Sequence, residues 1–529
     1  MGILISVEGD DNPWQQRLGI WWIAQDHPDQ VAIFDSPGGV RLTFGELAGR
    51  AHQLVRGLRH SGLQRGDVIV LVLPNGLDTV MWQLATQESG LRYITLNTAL
   101  TGPELGDIIA HADARMVVVH RDHSEHLGAM VSTLPVDHRV VVGGPADGFV
   151  QQEAITEGQE STPPPDRSLG GVISYSSGTT GRPKAVHRRL PDVDPWDAAD
   201  SLKRFGQAFR FRPLVGAHLV SAGMHHGGCQ GFYQGALNVG QGLVIMERFD
   251  AERALALIEE HRVSTAYMVP TQFVRMLRLP PQIRDRYDHS SLETVVHSAA
   301  PCPFEIKKRM LEWWGPVIWE TYGGIEGAAT IAKPHRWLEK PGTVGRAIRG
   351  VTLRILDDDG TELPAGAVGH IYLDSKGSGF EYKGEPDLTR SVHRGSAFTI
   401  GDMGYLDDDG YLFVCDRAKD LIISGGVNIY PAEIEGVLTA HPHVADVAVI
   451  GVPDPEWGEQ VKAVVELNGG VRPTPELAEE LSAWCAARLA SYKRPRSVDF
   501  REHLPRTDGG KLSKRTLRDE YWVETGRNL

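Results

Sequence analysis

Ten consecutive residues, Tyr175-Ser176-Ser177-Gly178-Thr179-Thr180-Gly181-Arg182-Pro183-Lys184, supply hydroxyls, flexible backbone and cations, and almost nothing that could fill a core. That composition suits a loop wrapped around phosphate. Gly178 and Gly181 let the chain turn so that N–H groups face an anion, Ser177, Thr179 and Thr180 add donors, and Arg182 and Lys184 add charge. The run does not fit the Walker pattern GxxxxGK[ST], because Gly181 is followed by Arg182-Pro183 and Lys184 by Ala185. Taken alone it implies phosphate and no particular reaction. Gly171-Val172-Ile173-Ser174 reads as the end of a buried strand, which would put the loop at a strand's carboxyl end, where open α/β sheets bind ligands.

The elements around this loop alternate helix and strand signals from about residue 40 to 145. Thr43-Phe44-Gly45-Glu46 is a capping box that opens a helix with Leu47, Ala51, Leu54, Val55 and Leu58 on one face. Val68 to Leu73 follows as an apolar strand stopped by Pro74-Asn75-Gly76, and Met116 to Val119 and Val140 to Val142 are runs typical of strands buried on both faces. Such alternation predicts an α/β fold with parallel-rich sheets covered by helices. Pro163-Pro164-Pro165 reads as a connector within this large domain. From about residue 350 short strands separated by acidic turns, Asp357 to Gly360 and Asp407 to Gly410, predict a small β-rich lobe. After Arg417 α and β elements resume, with a helix opening at Pro431, a strand over Val444 to Val452, and a stripe of Leu477, Leu481, Trp484, Cys485 and Leu489. The predicted domains are therefore residues 1–417 and a small mobile α+β domain over 418–529.

Composition narrows the function classes. The chain has 529 residues, 41% hydrophobic and 23% charged, and a net charge of -14, which repels a nucleic-acid backbone. No run of about 18 apolar residues predicts a membrane span. Cys229, Cys302, Cys415 and Cys485 show neither CxxC pairing nor metal-ligand spacing, which fits reduced thiols in a cytoplasmic enzyme. The apolar patch Ile3-Leu4-Ile5 gives way at once to acidic residues, so no signal peptide is expected.

Further motifs stand in order along the chain, and with them it resembles the acyl-activating (adenylate-forming) superfamily of acyl-CoA synthetases, luciferases and adenylation domains. The run at 175 to 184 resembles that family's phosphate signature, and Glu320-Thr321-Tyr322-Gly323-Gly324-Ile325-Glu326-Gly327 its YGxTE element. Gly401-Asp402 with Gly404-Tyr405 resembles its TGD element, Asp416-Arg417-Ala418-Lys419-Asp420 its inter-domain segment, and Pro505 to Lys511 its terminal lysine loop. The resemblance covers nearly the whole chain and implies an ATP-dependent acyl-CoA ligase working through an acyl-adenylate. Joining a carboxylate to the α-phosphate of ATP brings two anions together, so such a site must supply cations and N–H donors.

By resemblance, Ser177, Gly178, Thr179, Thr180, Gly181 and Lys184 hold the leaving pyrophosphate, and Glu326 ligates a Mg²⁺ on the phosphate oxygens. Tyr322 stacks on adenine beside Gly323, and the segment with Ala299 and Ala300 packs beside adenine and the acyl chain. Asp402 accepts from the ribose hydroxyls, and Arg417 also reaches the ribose. Lys511 bridges substrate carboxylate and α-phosphate, and Gly509-Gly510 frees its loop to enter the site. Lys419 matches the hinge about which the C-terminal domain swings, and Gly425 and Gly426 leave room for the pantetheine arm of CoA. His226, in Ser221 to Gly228, matches a residue lining the acyl pocket near the carboxylate. Gly227, Gly228, Ala299 and Ala300 have small side chains, which suggests a roomy pocket for a fatty or bulky ring-bearing acid.

Two positions depart from the family pattern: Ile325 stands for Thr in YGxTE, and Ile400 for Thr in TGD, although Thr399 is adjacent. The expected partners are a small carboxylic acid, ATP, CoA and Mg²⁺, with no nucleic acid and with a homodimer left open. Two alternatives stay open: a free-standing ligase that loads an acyl carrier protein, and a catalytically silent nucleotide-binding homologue.

Overall fold

The chain divides into two units, residues 1–296 with 379–383 and residues 297–378 with 384–529. The computed structural model describes residues 13–127, 132–176, 184–375, 379–417, 420–424, 427–506 and 512–523.

In the first unit, Val68–Val72 lies inside a six-stranded parallel sheet ordered Val150–Gln151, His138–Val142, Ala114–His120, Val68–Val72, Arg92–Thr95, Gly171–Val172. Every residue of Val68–Val72 is buried, as a strand covered on both faces must be. A second sheet runs in parallel through Val31–Asp35, Gly242–Ile245, Ala217–Val220 and Val263–Met268. Leu42–Thr43 adds to its edge in the antiparallel sense. The capping box is formed: Thr43 Oγ1 accepts from the Glu46 N–H at 3.2 Å, and Glu46 Oε2 accepts from the Thr43 N–H at 2.8 Å. It starts the helix Phe44–His60, whose predicted face of Leu47, Ala51, Leu54, Val55 and Leu58 is buried.

Gly171 to Ser174 is not one buried strand. Gly171–Val172 is a half-buried edge of the parallel sheet, and the chain then changes partner, so that Ser174–Ser176 pairs antiparallel with Lys184–His187. The ladder with Arg92–Thr95 ends at Val172 opposite Tyr93, and the Ile173 N–H still donates to the Tyr93 carbonyl at 2.9 Å. Ser174–Ser176 and Lys184–His187, the described residues on either side of the phosphate run, are therefore antiparallel partners, and Glu381–Tyr382 extends this small sheet on its other side.

In the second unit, Ile318–Gly324 and Gly327–Ala332 form a hairpin. The predicted β-rich lobe is a five-stranded antiparallel sheet of Val351–Leu356, Gly369–Ser375, Ala397–Leu406, His393–Arg394 and Leu412–Arg417. The C-terminal part centres on the long hairpin Val444–Asp454 and Gly458–Leu467, joined by Ile422–Ser424, Val427–Ile429 and Ser497–Arg501. Helices Pro431–Thr439 and Pro475–Ala486 bury Ile434, Leu438, Leu477, Leu481 and Cys485 against this sheet. Leu489, expected on the last helix's stripe, lies past its end and is still buried. All four cysteines are free thiols. No helix of the described residues is long and apolar enough to cross a membrane.

Candidate active site

The second unit places Tyr322 on the hairpin strand and Asp402 on the central strand of the β-rich sheet, and its phenol donates to Asp402 Oδ2 at 2.8 Å. Asp402 is 7% exposed, and its backbone lies opposite Arg417 on the neighbouring strand. Sequence order separates these three residues widely; the sheet registers bring them to one place. Gly401, just before Asp402, has φ +86, a left-handed turn that glycine adopts without strain. Thr399 Oγ1 steadies that turn by accepting the Gly401 N–H at 3.0 Å.

Glu326 sits in the turn of the same hairpin and is only 9% exposed. Of the glycines beside it, Gly323 is sterically required, while at Gly324 only the end of the Glu326 side chain stands in the way. A Cβ at Gly323 would lie 2.5 Å from the Gly327 carbonyl oxygen, and one at Gly324 would lie 2.4 Å from Glu326 Oε2 and 3.4 Å from Ile400 Cγ2. Ile400 thus closes on the turn that holds Glu326. A carboxylate held this way fits Mg²⁺, which takes one or two protein carboxylates and draws its remaining oxygens from substrate phosphates and water.

Ala299 and Ala300 are exposed, and Ala299 has φ +73, a conformation costly for a residue with a Cβ. Strain of this kind persists only where the surroundings hold it, and it concentrates at functional sites.

In the first unit, Lys184 pairs with Ser176 in the small antiparallel sheet, and its amine lies 5.4 Å from the Tyr382 ring centroid. Tyr175 meets His111 Nδ1 at 2.8 Å through its hydroxyl, and burial pushes its phenol pKa up. Ser177, Gly178, Thr179, Thr180 and Gly181 lie outside the described residues. His226 is the N-cap residue of the helix Gly227–Asn238, its ring 4.1 Å from that of His225. Burial drives the His225 pKa down to about 3, so that ring is neutral at physiological pH. A Cβ at Gly228 would sit 2.3 Å from Tyr267 Oη, so the first helical turn can approach that hydroxyl only as glycine.

Two sets of residues that sequence reasoning missed hold this segment. Asn75, read only as part of a strand-ending turn, donates to the Ala222 and Met246 carbonyls at 2.9 and 3.0 Å and accepts from the Met224 N–H at 2.8 Å. Tyr93, fully buried, receives the amides of Gln87 and Gln234 at 3.0 Å each, as well as that of Gln230. Gln230 and Gln234 belong to the helix that His226 caps, so this network sets its register. Spacing offered one signal, Gln230 and Gln234 at i,i+4 on an otherwise apolar helix.

Lys419, Gly425, Gly426 and Lys511 lie outside the described residues, as does the side chain of Arg417. Their flanks are described. Ser424 pairs with Val427 on either side of Gly425 and Gly426, and Arg506 bridges to Leu512 at the base of the 507–511 loop. Arg506 is ion-paired to Asp446, and Lys514 Nζ meets Glu435 Oε1 at 2.8 Å. Asp416 Oδ2 accepts from the Ala432 N–H at 2.8 Å, an anion at the first turn of the helix Pro431–Thr439.

Known proteins match this arrangement along the whole chain. The family model described as AMP-binding enzyme matches residues 20–382, and the one described as AMP-binding enzyme C-terminal domain matches residues 433–511. A feruloyl-CoA synthase of Amycolatopsis sp is 33% identical over 512 residues, covering 96% of this chain and 99% of that protein. A fatty acid–[acyl-carrier-protein] ligase, ScoC of Streptomyces coeruleorubidus, is 30% identical over 517 residues, 96% of each chain. Among solved structures, the anthranilate CoA ligase AuaEII in complex with anthranoyl-AMP superposes with a TM-score of 0.86 at 25% identity, covering 98% of this chain and 100% of that one.

Proposed function

The chain belongs to the AMP-binding, adenylate-forming enzymes, and on that premise we propose how its own residues divide the reaction. It is an AMP-forming ligase that uses ATP and CoA: a carboxylate displaces pyrophosphate from the α-phosphate of ATP, and the CoA thiol then displaces AMP from the acyl-adenylate. The observation that carries the assignment of roles is the Tyr322 to Asp402 hydrogen bond on the hairpin that also buries Glu326. It fixes an aromatic face and a diol-binding acid relative to each other, as a nucleoside requires.

In this reading Tyr322 stacks on adenine, with Gly323, Ala299 and Ala300 bordering it. Asp402 accepts from the ribose hydroxyls, and Arg417 reaches the same sugar. Ser177, Gly178, Thr179, Thr180, Gly181 and Lys184 hold the leaving pyrophosphate. Glu326 holds Mg²⁺, which when bound neutralises charge on the phosphate oxygens. Lys511 neutralises the approach of carboxylate to α-phosphate, and His226 orients that carboxylate. The domains are residues 1–417 and 418–529, the second turning about Lys419 so that Gly425 and Gly426 admit the pantetheine arm in the second step. The acid is bulky and ring-bearing. Gly227, Gly228, Ala299 and Ala300 support this, as do relatives named for feruloyl and anthranilate substrates. The enzyme acts in the cytoplasm, in keeping with its four free thiols; a homodimer is the association state to test first.

Acid-dependent exchange of pyrophosphate into ATP, run over a panel of aryl, indolyl and fatty acids, tests the adenylation step. Absence of exchange with every acid sinks the enzyme reading. The relative named as a carrier-protein ligase favours a second acceptor, so CoA and a phosphopantetheinyl carrier are compared directly. Lys511→Ala should abolish adenylate formation and spare CoA transfer from preformed acyl-AMP; equal loss of both refutes its role.

A further inference from the structure

Lys307 is fully buried, a placement lysine almost never takes unless paired. Its amine meets Glu320 Oε2 at 2.5 Å and lies 4.7 Å from the Trp337 ring centroid, and Glu320 is itself only 8% exposed. His297 Nε2 stands 3.6 Å from the same carboxylate oxygen. Burial, with the Lys307 charge added, holds the His297 ring far below its usual pKa, so that ring is neutral. Cys302 lies within the field of both, and burial first, then the Glu320 charge, keeps its thiol protonated.

Two ions removed from water are a poor way to gain stability, since apolar residues of similar volume commonly do as well or better. What an ion pair adds is direction. An amine must find one carboxylate, whereas a greasy contact tolerates slip and rotation. Here the direction joins two segments to which we assigned nucleotide contacts. Glu320 precedes Tyr322 by two residues on the strand Ile318–Gly324, and both side chains leave the same face. Lys307 lies in the helix Phe304–Trp314, which continues directly from the stretch that carries Ala299 and Ala300. That stretch starts at fully buried His297 and includes the left-handed Ala299, so its strained backbone runs between two fixed points, His297 and Lys307.

We propose that Lys307 and Glu320 are positioning residues for the nucleotide: their buried ion pair sets the Ala299–Ala300 stretch against the Tyr322 strand, so that adenine meets both at the correct spacing. The pair touches neither ATP nor the acid. It rests on the reading of Tyr322, Ala299 and Ala300 given above and goes beyond it by naming what holds them.

The test separates holding the fold from holding the site. ATP affinity is measured by calorimetry without any acid, beside melting temperature, for Lys307→Met, Glu320→Gln and the double variant Lys307→Met with Glu320→Leu. Each single change leaves one buried charge unpaired and lowers the melting temperature. The double change removes both charges and restores it. ATP affinity in the double variant stays weakened by about ten-fold or more, the scale of losing one nucleoside contact. A double variant that regains both stability and wild-type ATP affinity overturns the proposal, because the pair then serves folding alone. Should its melting temperature not recover, isosteric Glu320→Gln, assayed well below its own melting point, decides by the same criterion. A wild-type protein that binds no ATP overturns both this proposal and the nucleotide reading; a wild type that binds ATP but exchanges no pyrophosphate overturns only the assignment of the reaction.

Discussion

Gly324→Ala should separate the function of the hairpin from its stability. The added Cβ would lie 2.4 Å from Glu326 Oε2, where real Cβ contacts do not fall under 3.0 Å, so the carboxylate must retreat by the difference, 3.0 − 2.4 = 0.6 Å. The atom in the way is the far end of a flexible side chain, and moving it costs about 0.5–1.5 kcal/mol of rotamer strain. Replacing glycine with alanine gives back about 0.4–1 kcal/mol by restricting the unfolded chain, because the φ of Gly324 is not in the left-handed region. The two nearly cancel, and the melting temperature should move by no more than a few degrees. Catalysis should respond quite differently. Displacements approaching 1 Å at a reacting centre cost up to about a hundred-fold, so a loss of about ten-fold or more in kcat/KM for adenylation is expected, with a higher Mg²⁺ concentration at half-maximal rate. Pyrophosphate exchange titrated with Mg²⁺, beside a thermal melt, reads both quantities. Gly323→Ala is the contrast: its Cβ would meet the Gly327 carbonyl at 2.5 Å and Ala328 Cα at 2.7 Å, backbone that cannot step aside, so the hairpin itself should fail and stability with it. Wild-type rate and wild-type Mg²⁺ dependence in a folded Gly324→Ala protein would refute Glu326 as the metal-holding carboxylate.

Other outcomes follow from single contacts. Tyr322→Phe removes the 2.8 Å donor to a nearly buried carboxylate, and a hydrogen bond to a charged group is worth about 1.5–3 kcal/mol; a lower melting temperature and a raised ATP KM with little change in the acid KM are expected, and an unchanged ATP KM counts against the pairing of these residues at the nucleoside. His218 is fully buried, and burial lowers its pKa to about 3 from an unfolded value near 6.5, so the unfolded chain binds the extra proton between those limits and stability falls as pH drops through that window, by about 1.4 kcal/mol per pH unit at most. His218→Asn should flatten this acid limb in urea titrations from pH 7 to pH 4, and an unchanged slope would show that another group carries it. Gly228→Ala should cut exchange activity through its 2.3 Å clash with Tyr267 Oη, and adding Tyr267→Phe should recover part of the loss; no recovery would mean that the first turn of the helix, not the hydroxyl, is what the substitution disturbs.

Most of the architecture was legible because its signals are local. Phe44–His60 was visible from its capping box and apolar spacing, and Val68–Val72 from an unbroken apolar run, since both patterns reflect burial that each element imposes on itself. The change of sheet partner at Ile173 was not visible. Gly171-Val172 and Ser174-Tyr175-Ser176 have no compositional break between them, and the switch is decided by what stands opposite, Arg92–Tyr93 for the first and Ala185–Lys184 for the second. The same limit applies to Lys307, Asn75 and Tyr93. A lysine in an amphipathic helix, an asparagine before a glycine and a tyrosine in a strand all have ordinary surface or core readings, and only the fold reveals that Lys307 and Tyr93 are buried, and Asn75 half-buried, against polar partners elsewhere in the chain.

The two isoleucines illustrate how the site compensates for what its motifs lack. Ile325 and Ile400 stand where the family pattern has two hydroxyls, the first of them a contact to the α-phosphate by that pattern, and each has a threonine near it in sequence. The two threonines are not equivalent. Thr321 Oγ1 donates its proton to the Thr330 carbonyl at 2.7 Å, which commits the hydroxyl to the hairpin. Thr399 Oγ1 instead accepts, from the Gly401 N–H, so its own proton is not used in that bond. A hydroxyl that accepts from the chain has a donor to offer an anion, and accepting from an N–H polarises it toward doing so. Thr399 also belongs to the turn that precedes Asp402, so if Asp402 binds the ribose as proposed, a substitution at Thr399 should raise the ATP KM. Ile400, for its part, lies 3.4 Å from where a Gly324 Cβ would stand, packing against the turn that buries Glu326. The branched side chain therefore puts an apolar group against the Gly324 side of that turn, where the family pattern has a hydroxyl.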